Sequence, residues 1–227
     1  METENTYKYE RIYPQLERPQ RLIRLIHLEP SRELESGIKC RLEYTTLANH
    51  RPEYIALSYV WGDAKDKRSI TVDGKHLDIT ASLECALRHI RDPYKTLLIW
   101  ADGVCINQND VQDRNEQVRL MGDIYYNALT TIIFLGLSSP EVDYAVRFMV
   151  SHGDFEHRLR VGPAYDEFEC NTFVDNIAVV EQEILARPWF IRVWILQEFI
   201  LSRDPWLQCG TSRIRWQRFR VCYTKWL

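Results

Sequence analysis

The chain has 227 residues, 45% of them hydrophobic and 27% charged, with a formal net charge of −3. This is the composition of a globular protein large enough to bury a sizeable core in one domain with additions. A sequence pI of about 6.1 leaves no basic surplus that would call for nucleic acid, and there is no acidic tail.

Residues 1–20 read as an irregular lead-in, and the folded domain is expected over 21–227. Residues 1–10 are polar and lack the apolar run of a signal peptide. Apolar stretches such as Leu97–Trp100 and residues 132–135 are far too short to span a bilayer. A soluble, cytoplasmic chain with no membrane span is the expectation. Residues 23–28 form a short apolar strand stopped by Pro30. Ile38, Cys40, Leu42 and Tyr44 then alternate with polar residues at the period of a half-buried strand, which suggests a hairpin.

Residues 54–60 (YIALSYV) read as an apolar and aromatic strand ending at Trp61-Gly62-Asp63. Residues 70–79 hold two strand halves about Asp73-Gly74, a strong two-residue hairpin signal. Thr80 suits an N-cap, and Leu83, Ala86, Leu87 and Ile90 follow at helical spacing up to Pro93. Residues 96–101 (TLLIWA) have the continuous apolar run of a strand buried on both faces. A polar loop, Asp102 to Asp110, follows.

Val118, Met121, Tyr125 and Ala128 mark one face of a helix. Residues 130–136 form a second buried strand, and Val142, Ala145, Val146 and Met149 another helix. Residues 152–172 have no clear period and read as a surface insertion. Residues 174–186 and 188–202 read as two helices, with Pro188 in the first turn of the second. Residues 206–209 and 213–216 flank Gly210 as a closing hairpin. Buried strands alternating with helices imply an α/β fold with a mostly parallel sheet and helices on both faces.

The six cysteines form no C-x-x-C pair and read as reduced core residues. The six histidines show no ligand spacing, so no metal site is expected. Three stretches are unusual in composition: residues 56–62 (ALSYVWG), residues 98–108 (LIWADGVCINQ) continuing through Glu116-Gln117-Val118, Met121, Ile124-Tyr125 and Ala128, and residues 187–198 (RPWFIRVWILQE). In this order they resemble the three signature blocks of the fungal heterokaryon-incompatibility (HET) domain family. Core motifs fall at 54–136 and 187–199. Gly103 is a departure, since a bulkier residue is common there.

The resemblance implies a domain that triggers cell death in non-self recognition or innate immunity. It also implies that such a domain acts inside a longer chain, continuing past Leu227. HET domains are in turn distantly similar to Toll/interleukin-1 receptor (TIR) domains, whose fold is flavodoxin-like. The expected architecture is therefore a flavodoxin- or TIR-like parallel sheet flanked by helices, with added β-hairpins. Ser58-Tyr59 resembles the end of the first TIR strand, and residues 194–199 resemble the TIR helix that carries the glutamate of NAD cleavage. Glu198 is the catalytic residue implied. NAD or NADP is implied as substrate rather than cofactor, and self-association and other cell-death proteins as partners.

In open parallel sheets ligands sit beyond the carboxyl ends of the strands. Ser58, Tyr59, Trp61, Gly62 and Asp63 leave one strand there, and Asp102, Asn107 and Gln108 leave another, so these are candidate substrate-binding residues. Arg192 and Trp194 join them from the third block. Each polar residue also has a structural reading: Asp102, Asn107 and Gln108 as turn caps, and Glu198 as half of an ion pair with Arg187 or Arg192. On a continuous helix Glu198 shares a face with Ile191, Trp194 and Ile195. Trp61, in a loop, is suited to stack on a nicotinamide or adenine ring. Cys105 as a nucleophile needs a histidine base, and none lies in the three blocks. A non-catalytic module that acts through assembly is the alternative to an NAD-cleaving enzyme.

Overall fold

The computed structural model describes residues 5–10, 21–47, 53–151 and 176–226. The insertion expected at 152–172 lies outside them. The chain runs β1 (Leu22–Leu28), β2 (Lys39–Thr46), β3 (Ile55–Tyr59), β4 (Lys67–Val72), β5 (Lys75–Thr80), α1 (Ala81–Ile90), β6 (Leu97–Trp100), α2 (Asp102–Cys105), α3 (Val111–Asn127), β7 (Thr130–Phe134) and α4 (Pro140–Ser151). A π-helical turn (Val180–Leu185) and a 3-10 turn (Pro188–Ile191) precede α5 (Ile195–Ile200), β8 (Pro205–Cys209), β9 (Ser212–Arg215) and α6 (Trp216–Trp226).

One nine-stranded sheet runs through the domain in the order β5-β4-β2-β1-β6-β3-β7-β8-β9. β3 pairs in parallel with both β6 and β7, and β8 extends the parallel set beside β7. Numbered in chain order, these four strands stand 2-1-3-4, the flavodoxin-like order, whose ligand crevice lies between the first and third strands. Here that switch point is between β3 and β7. Around this parallel middle the pairing is antiparallel for β1 with β2 and β6, β4 with β5, and β8 with β9, while β2 and β4 pair in parallel.

Local chemistry accounts for much of this. Asp73 and Gly74 both hold positive φ, 50° and 76°, as a two-residue turn matched to the twist of its strands requires. Thr80 caps α1 by accepting from the Leu83 backbone N–H. The register Ser58↔Ile133 and Tyr59↔Phe134 puts Ser58 and Ile133 on one face of the sheet and Tyr59 and Phe134 on the other. α1 covers the Tyr59 face, where the His89 and Phe134 rings meet at 5.7 Å. α3 covers the Ser58 face, where Tyr125 stands edge-on to Trp100 at 5.7 Å. α5 packs on α3.

The structure departs from the sequence expectations in four places. Residues 188–202 are not one helix. The 3-10 turn ends at Ile191, and Arg192 is extended (φ −83°, ψ 142°) before α5 begins. The stretch from Asp102 to Asp110 is not all loop, because α2 buries Val104 and Cys105. The inner stripe of α3 is Asp113, Gln117, Met121, Ile124 and Tyr125, whereas Val118 is 37% exposed. Polar residues occupy that stripe because they have buried partners: Asp113 pairs with Arg24 at 2.8 Å, and Gln117 donates to the Leu22 carbonyl at 2.8 Å. Finally, Asn5 to Glu10 in the lead-in edges the sheet, through a bridge between Thr6 and His76 and the bond from the Tyr7 N–H to the His76 carbonyl at 2.8 Å.

Candidate active site at the end of β3

Ser58 is 1% exposed and lies on the α3 face near the carboxyl end of β3. Its hydroxyl accepts from the Trp189 indole N–H at 2.7 Å and donates to the Glu198 carboxylate. Trp189 reaches it because the 3-10 turn drives that ring inward, edge-on to Phe190 and Phe199. Glu198 is 3% exposed. Its second partner is Arg192, whose guanidinium nitrogens lie 3.3 and 3.4 Å from the two carboxylate oxygens. The same guanidinium donates to the Tyr59 carbonyl at 2.7 Å.

Burial pushes the Glu198 carboxyl above its ordinary range, against the pull of the Ser58 bond and the Arg192 charge, and the nearby Asp102 charge adds to the rise. Asp102 is also raised by burial, and the opposing bonds from Trp61 and the Gly103 N–H, with the Tyr59 hydroxyl nearby, do not cancel it. Two carboxylates with raised pKa and a shared arginine therefore stand at one sheet edge. Perturbed groups gathered in this way mark candidate functional sites.

Asp102 is held by the Trp61 indole N–H at 2.9 Å and the Gly103 N–H at 2.8 Å, and Gln108 donates to the Asp102 carbonyl at 2.9 Å. The buried Tyr59 hydroxyl lies beside Asp102, and burial first and that charge second push its pKa up. Asn107 donates its N–H to Asp113 at 2.7 Å and accepts from the Asn109 N–H at 3.2 Å.

Two hydrogen-bonded groups meet at this site: Ser58, Glu198, Arg192 and the Tyr59 carbonyl form one, Trp61, Asp102 and Gln108 form the other, and the Tyr59 side chain lies between them, with Asn107 alongside. Gly62 and Asp63 lie outside both groups. Both are exposed, and Asp63 caps its own turn through the Lys65 N–H at 2.9 Å. Trp194 is 48% exposed, and its backbone carbonyl accepts from the Gln197 and Glu198 N–H groups. Of the helical face expected around Glu198, Trp194 and Ile195 still stand one turn before it, and Ile191 does not. With the helix broken at Arg192, Ile191 is 87% exposed, and Glu198 is buried by Ser58 and Arg192 rather than by an apolar helix face. Trp189, which is not among the residues expected at the site, supplies a bond to Ser58. An indole N–H buried on a turn needs an acceptor, and that was the available signal.

Two further points concern the α2 turn. Cys105 is buried and burial pushes its thiol up, the opposite of an activated nucleophile. Gly103 has no room for a side chain: a Cβ there would lie 2.7 Å from both the Tyr59 hydroxyl and the Leu83 Cδ2. Gly103→Ala is expected to destabilise the domain by about 1–3 kcal/mol through overpacking, measured as a lower midpoint in urea with an unchanged slope. A midpoint equal to that of the parent would refute the tight fit.

Among the described residues, no group of three or more His, Cys, Asp or Glu side chains is placed to hold a metal ion, and no helix is long and apolar enough to cross a membrane. No solved structure matches the chain significantly. The chain is 33% identical over 246 aligned positions to heterokaryon incompatibility protein 6, OR allele, of Neurospora crassa. That match covers 91% of this chain but 35% of the relative, so the chain spans about a third of that protein. The profile of the family described as heterokaryon incompatibility protein (HET) matches residues 54–198. Those bounds run from the start of β3 to the buried carboxylate itself, and the chain belongs to the HET family.

Proposed function

We propose that this domain is the death-triggering unit of a heterokaryon-incompatibility protein, and that it acts by hydrolysing the nicotinamide–ribose bond of NAD or NADP. The observation that carries the reading is Glu198, a buried carboxylate bonded to Ser58 at the switch point of a flavodoxin-ordered sheet. The nicotinamide ring is a cationic pyridinium, so it departs neutral without a general acid. One carboxylate then suffices where glycosidases use two. Glu198 would hold the ribose diol in the place Arg192 now occupies and stabilise the cationic ribosyl transition state. Water adds to that carbon, giving ADP-ribose (or its 2′-phosphate), nicotinamide and a proton.

The test is release of nicotinamide when the purified chain is incubated with NAD or NADP. A second reading, a non-catalytic signalling module, is favoured by the closed state of Glu198, whose oxygens are both engaged by Arg192. Absence of nicotinamide release at high protein concentration would select it.

Self-association belongs to the same proposal. Beside the site, Ile191, Val193, Leu196 and Ile200 are apolar and well exposed, an arrangement typical of interaction surfaces. Activity per molecule is expected to fall on dilution, checked by nicotinamide release and light scattering over the same concentration series. Constant specific activity across that series would count against assembly.

A further inference from the structure

Two cavities open side by side on the α1 face of the sheet, where residues 5–10, the β4–β5 hairpin and the segment after α2 meet. The larger, about 490 Å³, is lined by Thr6, Tyr7, Lys8 and His76. The smaller, about 130 Å³, is lined by Tyr59, Trp61, Lys67 and Gln108. Tyr9, Asn107 and Asn109 border both, so the two form one groove. Residues 5–10 roof it and are tied down by His76, whose N–H donates to the Asn5 carbonyl at 2.8 Å, by the Tyr9 hydroxyl, which donates to the Val104 carbonyl at 2.9 Å, and by Arg24, which donates to the Glu10 carbonyl at 3.3 Å.

Glu198 is not in this groove. It bonds Ser58 on the opposite face of β3, while Tyr59 and Trp61 face the groove. The carboxyl end of β3 is the point at which a ligand would cross from one to the other. The lining includes aromatic, cationic and amide groups, together with one carboxylate, Asp78, which borders both cavities. Tyr7, Tyr9 and Trp61 offer aromatic rings, Lys8 and Lys67 offer ammonium groups from two sides, and Asn107 and Asn109 offer amides. The Asn107 side-chain NH₂ and the Asn109 amide make no hydrogen bond among the described residues. Aromatic rings stack on any heterocyclic base, side-chain amides match the hydrogen-bonding edge of adenine, and lysines bind phosphate as point charges. The combined volume suits a nucleotide-sized ligand.

We propose that this groove binds a nucleoside diphosphate, the ADP half of the dinucleotide, while its nicotinamide ribose lies across the end of β3 at Glu198. The assignment rests on the NAD(P) reading for the second half of that statement, but not for the binding of ADP itself.

The experiment is calorimetric titration of ADP and of ribose 5-phosphate into the whole chain, its Lys67→Glu and Asn107→Leu variants, and Glu198→Gln. Lys67 is exposed on β4, so its substitution leaves the core intact, and thermal unfolding checks this. ADP is expected to bind the parent chain and Glu198→Gln alike, about tenfold or more weaker to Lys67→Glu and to Asn107→Leu, and more tightly than ribose 5-phosphate. Failure of ADP to bind the parent, or equal affinity across all four chains, overturns the groove assignment. Nicotinamide release is measured on the same preparations. ADP binding without nicotinamide release leaves the groove standing and removes the hydrolase reading. Release with no ADP binding, and with KM unchanged in both groove variants, does the reverse.

Discussion

Glu198→Gln should abolish most nicotinamide release while leaving the fold intact. The amide keeps the shape of the carboxylate but not its charge. Removing one electrostatic contact to a developing charge typically lowers a rate about 10²–10³-fold. The effect on stability is set by what remains around the new side chain. Ser58 can still donate to the amide oxygen. Arg192 keeps its bond to the Tyr59 carbonyl, and its side chain is 21% exposed. Its charge is therefore partly solvated and the loss of the ion pair is modest, about 1 kcal/mol, rather than the 3–5 kcal/mol of a fully buried pair. The raised pKa of Glu198 points the same way, because burial of the charge outweighs its partners. The active form is the ionised one, so a raised pKa moves the acid limb upward. Activity should fall on acidification at a higher pH than an ordinary glutamate would dictate. A folded Glu198→Gln chain that releases nicotinamide at the parental rate would sink the catalytic role.

What the sequence made legible, and what it hid, divides by the range of the forces involved. The Asp73-Gly74 hairpin, the Thr80 cap and the β3, β6 and β7 strands were readable because each is decided within a few residues, by backbone conformation or by continuous apolar runs. The break at Arg192 was hidden because its cause is tertiary. Arg192 bonds Tyr59 and Glu198, and Trp189 bonds Ser58 131 residues away. Those bonds override the helical periodicity of the stretch, which β-branched Ile191 and Val193 already weaken. The polar stripe of α3 was hidden for the same reason. Asp113 reads as a solvated residue until Arg24 is placed against it. Ser58, Trp61 and Asp102 were singled out by position at strand ends together with the family resemblance, and the structure brings them to one end of the sheet. Gly62 and Asp63 satisfied the same rule and lie outside both bonded groups, because position past a strand does not settle which way a side chain turns.

Arg24→Met should be the most damaging single change in the domain. Arg24 and Asp113 are 1% and 3% exposed, and their charges meet at 2.8 Å. The guanidinium also donates to the Cys105 carbonyl at 3.0 Å and lies over the Tyr9 and Tyr44 rings at 5.2 and 5.5 Å. Methionine fills much of the volume but leaves the buried Asp113 carboxylate, among the described residues, with the Asn107 N–H at 2.7 Å as its remaining partner. An uncompensated buried charge of this kind costs about 3–5 kcal/mol, which for a domain of this size lowers Tm by roughly 10 °C. Removing both charges together should recover most of that loss, because the penalty lies in the unpaired carboxylate rather than in the absence of the pair. Arg24→Met with Asp113→Leu is therefore expected to be more stable than Arg24→Met alone. The double variant still gives up the bonds that fix Cys105 and Asn107, just before Gln108. Its ADP affinity should stay below that of the parent even where its stability returns. Urea unfolding of the parent, both single variants and the double variant closes the cycle. A coupling energy near zero between positions 24 and 113 would show that the pair does not hold this end of the sheet together.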